Sequence, residues 1–243
     1  MPPMAEKHIE TFRIRYSDRD RFGCLKLRTL LDYAQEAAGN HAELLGFGME
    51  ALRTRHQAWM LSRIRLRILD YPVSETQVQV TTWPSGFERL FATREYSFAA
   101  GPEQRVFAEG TSYWVIFDTE ARRLLSAPKE LADLPCDVGA EERFFNDLGK
   151  LPEVRQAPLM DEVKIREHQI DANGHLNNAE YASLVQDVLT VGVRPREMQI
   201  NYQHEIPVHG SVQLRGLQDG AQFQIAGILA DSDTVAFTAS CLM

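Results

Sequence analysis

Cysteine is scarce in this chain of 243 residues, and its scarcity argues against two common kinds of architecture. The cysteines are Cys24, Cys136 and Cys241. An odd number of scattered cysteines without CxxC spacing is unlike a disulfide framework or a cysteine zinc site. The pairs His204 and His209, five apart, and His168 and His175, seven apart, do not match a helical metal pair. We therefore predict no disulfide, no metal and no cofactor, as expected in a reducing cytoplasm.

Long apolar runs and an excess of positive charge are also missing. No run approaches the roughly 18 uninterrupted apolar residues of a membrane helix, and the first eight residues lack the apolar segment of a secretory signal. We expect a soluble, cytoplasmic protein without a membrane partner. The formal net charge of -8 gives no broad electrostatic reason to bind nucleic acid. An acidic macromolecular partner would need a local basic patch to dock.

One pattern occurs twice, at an offset of 151 positions. The offset aligns Asp20, Gly23, Leu25, Gln35 and Glu36 with Asp171, Gly174, Leu176, Gln186 and Asp187. Four of these pairs are identical, and the fifth keeps its charge. Apolar residues between them fall three and four apart, the spacing of a helix face: Leu30, Tyr33 and Ala34 in one copy, Tyr181, Leu184 and Val185 in the other. Each half therefore has a loop that begins at an aspartate and enters an amphipathic helix.

Around each helix the apolar period changes from 3.6 to 2, which indicates strands. We predict strands at residues 12–16, 63–68, 78–83, 94–99 and 106–118, and again at 163–167, 198–205, 212–216, 223–229 and 235–242. Short connections favour antiparallel pairing, and each long helix must cover its own sheet. This layout predicts an α+β tandem hotdog fold, or double hotdog. A charged, proline-containing connector places the boundary near residue 150, giving units 1–150 and 151–243.

The most informative stretch is residues 171–181, DANGHLNNAEY. It brings a carboxylate, amides and an imidazole to a helix start, whose N–H groups suit a developing oxyanion. Such residues are also common as helix caps, and a single histidine is often structural. The other copy has Phe22 and Cys24 where this one has Asn173 and His175. If the amide and imidazole served only the fold, both copies would need them.

A second acidic group follows in the segment 201–207, NYQHEIP, where Glu205 stands at the end of a predicted strand. A neighbouring strand end can face the loop, so this carboxylate can join the site. Alone the signal is weak, since Glu205 could be a solvated edge residue.

The 171–181 segment resembles the D-x-N-x-H-x-N-N-x-x-Y motif of the acyl-acyl-carrier-protein thioesterases of plant plastids and bacteria. Further segments resemble the same family in the same order, and these are residues 35–41, 59–63, 71–72, 82–83, 112–115 and 123–126. The resemblance spans about residues 9–215. It implies hydrolysis of the thioester of fatty acyl-acyl-carrier protein, releasing free fatty acid and holo-carrier in fatty acid biosynthesis. It also implies that unit 1–150 forms the acyl-pocket side and unit 151–243 carries the catalytic loop.

By that resemblance the catalytic residues are Asp171, Asn173, His175 and Glu205, with no cofactor. The family's strand motif continues with a cysteine, whereas this chain has Ile206. A papain-like cysteine mechanism is therefore in doubt, and direct attack by water is preferred. Either Glu205 or Asp171 would activate the water, His175 would orient it or carry the proton, and Asn173 with a backbone N–H would polarise the carbonyl.

Two other functions remain open at this point. A hotdog thioesterase acting on acyl-coenzyme A differs only in the leaving group, and a non-catalytic acyl-binding module would use the same tunnel without releasing thiol. For a carrier-protein partner, Arg63, Arg65 and Arg67 are candidate docking residues, or else a solvated outer sheet face. The chain could be a monomer or a homodimer, and its acyl length preference is open.

Overall fold

The structure is a computed structural model that describes residues 7–125 and 143–243. Its helices are α1 (Leu27–Leu44), α2 (Met49–Arg53) and α3 (Glu180–Val188). Its strands are β1 (His8–Arg13), β2 (Gln57–Ile68), β3 (Gln77–Glu88), β4 (Phe91–Ala100), β5 (Arg105–Asp118), β6 (Arg123–Leu125), β7 (Leu159–Lys164), β8 (Glu197–Tyr202), β9 (Ser211–Asp219), β10 (Gln222–Leu229) and β11 (Thr234–Leu242). Short 3-10 turns precede α1 and α3 at Tyr16–Asp18 and Glu167–Gln169. The predicted order of one strand, one helix and four strands is found in both halves, and the first half adds α2 and the short β6.

The described strands form one antiparallel sheet with the order β1-β3-β4-β5-β2-β8-β11-β10-β9-β7, and β6 pairs with β5. Each half places its strands in the sequence first, third, fourth, fifth, second, counted from its own edge. The halves meet where β2 pairs with β8, from Arg63 opposite Asn201 to Arg67 opposite Glu197. Equivalent strands therefore join the two halves into a continuous sheet.

The apolar faces of α1 and α3 pack into one core shared by both halves. All six predicted helix-face residues are buried, namely Leu30, Tyr33, Ala34, Tyr181, Leu184 and Val185. A buried leucine of this kind contributes about 1.5–3 kcal/mol. The two helices also meet through polar groups, since Arg28 pairs with the buried Glu180 at 2.6 Å and Gln186 Oε1 accepts the Leu27 N–H at 3.1 Å. The start of α1 is thus completed by the other half.

A connector segment, residues 143–149, crosses the outer face of the sheet. Glu95 is fully buried beneath it and accepts hydrogen bonds from Ser85 Oγ at 2.7 Å, Thr111 Oγ1 at 2.5 Å and the Phe144 N–H at 3.1 Å. Burial raises the pKa of the Glu95 carboxyl, and these donors offset part of that rise. Leu148 is fully buried in the same contact. The connector is therefore an ordered part of the fold at this point.

The candidate docking residues Arg63, Arg65 and Arg67 all have partners within the chain. Arg65 pairs with Glu197 at 2.5 Å, and Arg67 with Glu109 at 2.7 Å. The Phe145 ring lies under both of these guanidinium groups, and Arg63 donates to the Leu148 carbonyl. These arginines face the outer side of the sheet, where all three contact the connector, Arg63 and Arg65 are partly buried, and Arg67 stays exposed to solvent.

Three predicted strand ends also need correction. Tyr16 lies in a 3-10 turn and is fully exposed, because the chain leaves the sheet after Arg13. Glu167 begins the equivalent turn in the second half. Strand β8 ends at Tyr202, so Glu205 lies three residues beyond the sheet. Within residues 7–125 and 143–243, no helix has the length and apolarity needed to cross a membrane.

Candidate active site

The second loop, residues 171–177, is organised around Asp171. Its Oδ1 accepts the N–H groups of Asn173 at 2.8 Å and His175 at 3.3 Å. Its backbone N–H donates to the His175 carbonyl at 2.9 Å, and its backbone carbonyl accepts the Gly174 N–H at 3.0 Å. Gly174 has a φ of +85°, a conformation that other residues adopt only with strain. Asp171 therefore holds the turn that presents His175.

Most N–H groups at the helix entry already have acceptors. Asn177 accepts the Ala179 N–H through its side chain at 2.8 Å and the Glu180 N–H through its carbonyl at 2.9 Å. Leu176 donates to the Ile206 carbonyl at 3.0 Å. The Asn178 N–H has no acceptor in the described part of the chain. The expected set of free helix donors is thus reduced at this entry, within the described residues, and the Asn178 N–H is one that remains.

His175 and Glu205 form the central contact of the site. His175 Nε2 lies 3.0 Å from Glu205 Oε2, with 38% and 57% of the two side chains exposed. The strand-end segment is held against the loop by a bridge between His175 and Pro207. Exposed ion pairs contribute only about 0–1 kcal/mol, so this pair has little value for stability. If Nε2–H donates to the carboxylate, Nδ1 remains as a proton acceptor.

Asn173 completes the group of candidate residues. Its Nδ2 donates to Asp171 Oδ2 at 3.3 Å, which leaves a second amide hydrogen for another acceptor. Both Asp171 oxygens therefore have partners within the loop, whereas the one partner of the Glu205 side chain among the described residues is the imidazole. The structure brings the four predicted residues together, and their catalytic roles remain predictions.

Tyr181 is a neighbour of the site that sequence reasoning assigned to the core alone. Its ring is buried and packs edge-on against Tyr202 at 4.9 Å and Phe237 at 5.2 Å. Burial raises the pKa of the phenol, and Glu205 and Asp171 raise it further, while a hydrogen bond with the Ile206 backbone opposes them. The final tyrosine of the loop motif was the available signal for this position.

The described cysteines are poor nucleophiles. Cys24 is buried, and burial raises the pKa of its thiol. Cys241 is fully buried, with its pKa raised to about 12 by desolvation. Cys136 lies outside the described residues. Thiolates are the reactive form, so neither described cysteine is set up for covalent catalysis. Residues 7–125 and 143–243 contain no group of three or more His, Cys, Asp or Glu side chains placed to hold a metal ion.

Comparison with known proteins gives two adjacent family matches. Residues 5–134 match the acyl-ACP thioesterase N-terminal domain, and residues 153–235 match the acyl-ACP thioesterase C-terminal domain. An oleoyl-acyl carrier protein thioesterase from Coriandrum sativum is 25% identical over 74% of this chain and 51% of its own length. A palmitoyl-acyl carrier protein thioesterase from Gossypium hirsutum is 28% identical over 71% of this chain and 44% of its own length. The chain thus spans about half the length of the curated relatives it matches.

Solved structures share the fold over nearly the whole chain. An acyl-ACP thioesterase from Bacteroides thetaiotaomicron superposes with a TM-score of 0.87 and 19% identity, covering 97% of each chain. A 12:0-ACP thioesterase from Umbellularia californica gives a TM-score of 0.80 and 20% identity, covering 97% of this chain and 96% of that one. These likenesses, with the large antiparallel sheet and few helices, fit the predicted hotdog fold.

Proposed function

Because this chain belongs to the acyl-ACP thioesterase family, we propose that it hydrolyses the thioester of fatty acyl-acyl carrier protein, releasing a free fatty acid and the carrier thiol. The observation that carries the proposal is the 3.0 Å contact between His175 and Glu205 in the family's motif loop. A carboxylate that orients an imidazole provides a base at neutral pH, which hydrolysis by water requires.

The pair supplies the base. Glu205 accepts the Nε2 hydrogen of His175, and Nδ1 takes a proton from the attacking water. The water oxygen bonds to the thioester carbon, and the carbon–sulfur bond then breaks. The imidazolium returns the proton to the leaving thiolate, so no other reactant is consumed. Asp171 is assigned to holding the loop, because both of its oxygens already accept hydrogen bonds there.

The carbonyl oxygen needs donors as negative charge develops on it. Asn173 has one amide hydrogen left after its bond to Asp171, and the Asn178 N–H has no described acceptor. We assign these two groups to the oxyanion. Removing one such donor typically lowers kcat by about 10²–10³-fold.

We infer that the architecture is a tandem hotdog, with unit 1–150 on the acyl-pocket side and unit 151–243 carrying the second loop. The mirrored strand order and the β2–β8 junction support this division. The proposed partner is acyl carrier protein, and the proposed location is the cytoplasm. We expect the chain to be a monomer or a homodimer, and sedimentation or light scattering would distinguish the two states.

The function is tested by thiol release from a chain-length series of acyl-carrier proteins, with matched acyl-coenzyme A substrates. We expect free thiol and free fatty acid in equal amounts, with higher kcat/KM for the carrier-protein series. Preference for coenzyme A at matched chain length would select the acyl-CoA alternative. Binding of acyl thioester without thiol release would select the non-catalytic acyl-binding module.

The water mechanism has a test of its own. A variant with Cys24, Cys136 and Cys241 all changed to alanine should keep most of its turnover. Mass spectrometry during turnover should find no acyl group on a cysteine of the native chain. An acylated cysteine formed at the rate of turnover would overturn direct attack by water.

A further inference from the structure

A cavity of about 100 Å³ lies beside the first loop, residues 20–26, on the side of the molecule that lacks the asparagine and histidine of the second loop. Both halves of the chain build it. Its walls include Phe22, Leu27, Tyr71, Leu189, Val191 and Arg194.

The cavity has an apolar part and a polar part, the polar part including Asp20, Arg21 and Arg194. Leu27 and Leu189 are buried, and the Tyr71 hydroxyl donates to the Pro195 carbonyl at 2.8 Å. Burial raises the pKa of Tyr71, so its phenol stays neutral. An apolar cavity of about 150 Å³ can hold benzene, so about 100 Å³ suits an alkyl group of roughly three to five carbons.

The cavity lining includes an aromatic ring close to two guanidinium groups. Arg194 lies 5.1 Å from the Phe22 ring and 5.7 Å from the Tyr71 ring, and it pairs with Asp20 at 2.7 Å. Arg21 lies 5.5 Å from the same Phe22 ring and has no carboxylate partner in the described ranges. Of these two guanidinium groups, only that of Arg194 has a carboxylate partner among the described residues.

A third arginine adds to the excess charge of this loop. Arg19 donates to the backbone carbonyls of Gly23, Val73 and Glu75, and it too has no carboxylate partner among the described residues. Within a chain of net charge -8, this loop is a local region of positive potential. Arginine is well suited to a carboxylate ligand, because its planar donors match the two oxygens.

We propose that the cavity beside the first loop binds a small monocarboxylate. Its alkyl part lies against Leu27, Leu189 and Tyr71, and its carboxylate is held by Arg21 with the remaining donors of Arg194. A volume of about 100 Å³ is too small for a long fatty acyl chain. The site goes beyond the proposed hydrolase activity, because it uses the loop that has no catalytic pair.

The probe is butyrate, titrated into the full chain labelled with ¹⁵N. We expect saturable shifts of the Gly23 and Gly192 amides, because Gly23 follows the cavity residue Phe22 and Gly192 itself lines the cavity. Butyramide has the same shape without the charge, and it should bind about tenfold more weakly, since a hydrogen bond to a charged group is worth about 1.5–3 kcal/mol. Arg21→Gln should weaken butyrate several-fold, whereas the exposed Arg123→Gln is the matched control and should not.

Glu205→Gln separates this site from the active site. The proposal requires that butyrate still shift the first-loop amides in that variant, whether or not the chain hydrolyses thioesters. Equal binding of butyrate and butyramide, or an Arg21→Gln titration identical to the native one, contradicts the proposal. So do loss of the shifts in Glu205→Gln and the absence of saturation up to about 50 mM.

Discussion

The first and second loops have the same backbone and different chemistry. In each, the aspartate, Asp20 or Asp171, accepts the N–H groups of the residues two and four positions later through one side-chain oxygen. In each, a glycine takes a positive φ, +82° at Gly23 and +85° at Gly174. The conserved aspartate and glycine of the repeat are therefore explained by folding alone, without reference to catalysis.

The side chains on this shared frame differ in a way that changes the site. The second loop presents Asn173 and His175, and the imidazole reaches Glu205. The first loop has Phe22 and a buried thiol in these places, and the free oxygen of its aspartate takes Arg194 at 2.7 Å. The second loop has a solvent-accessible pair of histidine and glutamate. The first loop has a largely buried ion pair and an aromatic side chain. The comparison teaches that the repeat supplies the frame, and we propose that the side chains at its two differing positions decide which copy can hydrolyse.

Among single substitutions in the two loops and their partners, we expect the largest effect from Glu205→Gln. This change keeps the size of the side chain and removes its charge. We expect kcat to fall by about 10²–10⁴-fold, the range for loss of general acid-base help, with an unchanged melting temperature. The matched control is Asp70→Asn, because Asp70 follows β2 in the first half and pairs with Arg105. A kcat within about threefold of native for Glu205→Gln removes this residue from the mechanism.

The halves should also differ in their response to acid. His41 is buried in α1, and its pKa is lowered to about 3 by burial and by Arg94 and His8, whereas the aligned position holds Gly192. Below pH about 6.5 the His41 side chain binds a proton in the unfolded chain but not in the folded chain. The free energy of unfolding therefore falls as the pH falls towards 3. Between pH 7.5 and 4.5 we expect His41→Gln to lose about 2 kcal/mol less than the native chain in urea unfolding.

The control for this acid effect is His168→Gln, since His168 is exposed in the turn before the second loop. That variant should follow the native profile. Equal losses for the native chain and His41→Gln would show that His41 does not set the acid response of the first half.

A smaller contrast is expected between the two loop aspartates. Asparagine can still accept the loop N–H bonds but carries no charge. Asp20→Asn loses the largely buried pair with Arg194 and should cost about 1 kcal/mol, with kcat unchanged. Asp171→Asn loses no ion pair and should cost less than about 0.5 kcal/mol. Urea midpoints of the two variants test this, and a larger loss for Asp171→Asn would reverse the assignment.

The smallest expected effect is at the outer face. Arg65→Gln removes the pair with Glu197 and the contact with Phe145, so it should cost up to about 1 kcal/mol. The Michaelis constant for acyl-carrier protein should stay within about twofold, because Arg65 is occupied by the connector. Arg123→Gln serves as the exposed control. A tenfold rise in the Michaelis constant with Arg65→Gln would restore the docking interpretation.

Much of the fold was predictable because its signals are local. The change of apolar period located the long helices and most strands, and the offset repeat located both loops. The family motif brought together Asp171, Asn173 and His175, which are close in the chain. Their nearness to Glu205 was predictable only as a possibility, since the segment 203–207 lies beyond the sheet and is placed by bonds to the loop.

The contacts that cover the outer face of β2 were not predictable, because they come from residues far away in the chain. Alternation along β2 shows that Arg63, Arg65 and Arg67 share a face, but it does not show what covers that face. The answer depends on Phe145 and Leu148, about 80 positions away in a connector without a periodic pattern. The cavity beside the first loop likewise depends on the approach of segment 189–195 from the other half.

The central claim is that Asn173 and His175 distinguish a working loop from an inactive one. It is tested most directly by converting the second loop to the first, with Asn173→Phe and His175→Cys in one chain, and measuring thiol release from acyl-carrier protein. We predict that kcat falls by at least about 10³-fold while the melting temperature stays close to native, because the backbone bonds of Asp171 and Gly174 are kept. Native turnover in this converted chain would contradict the account.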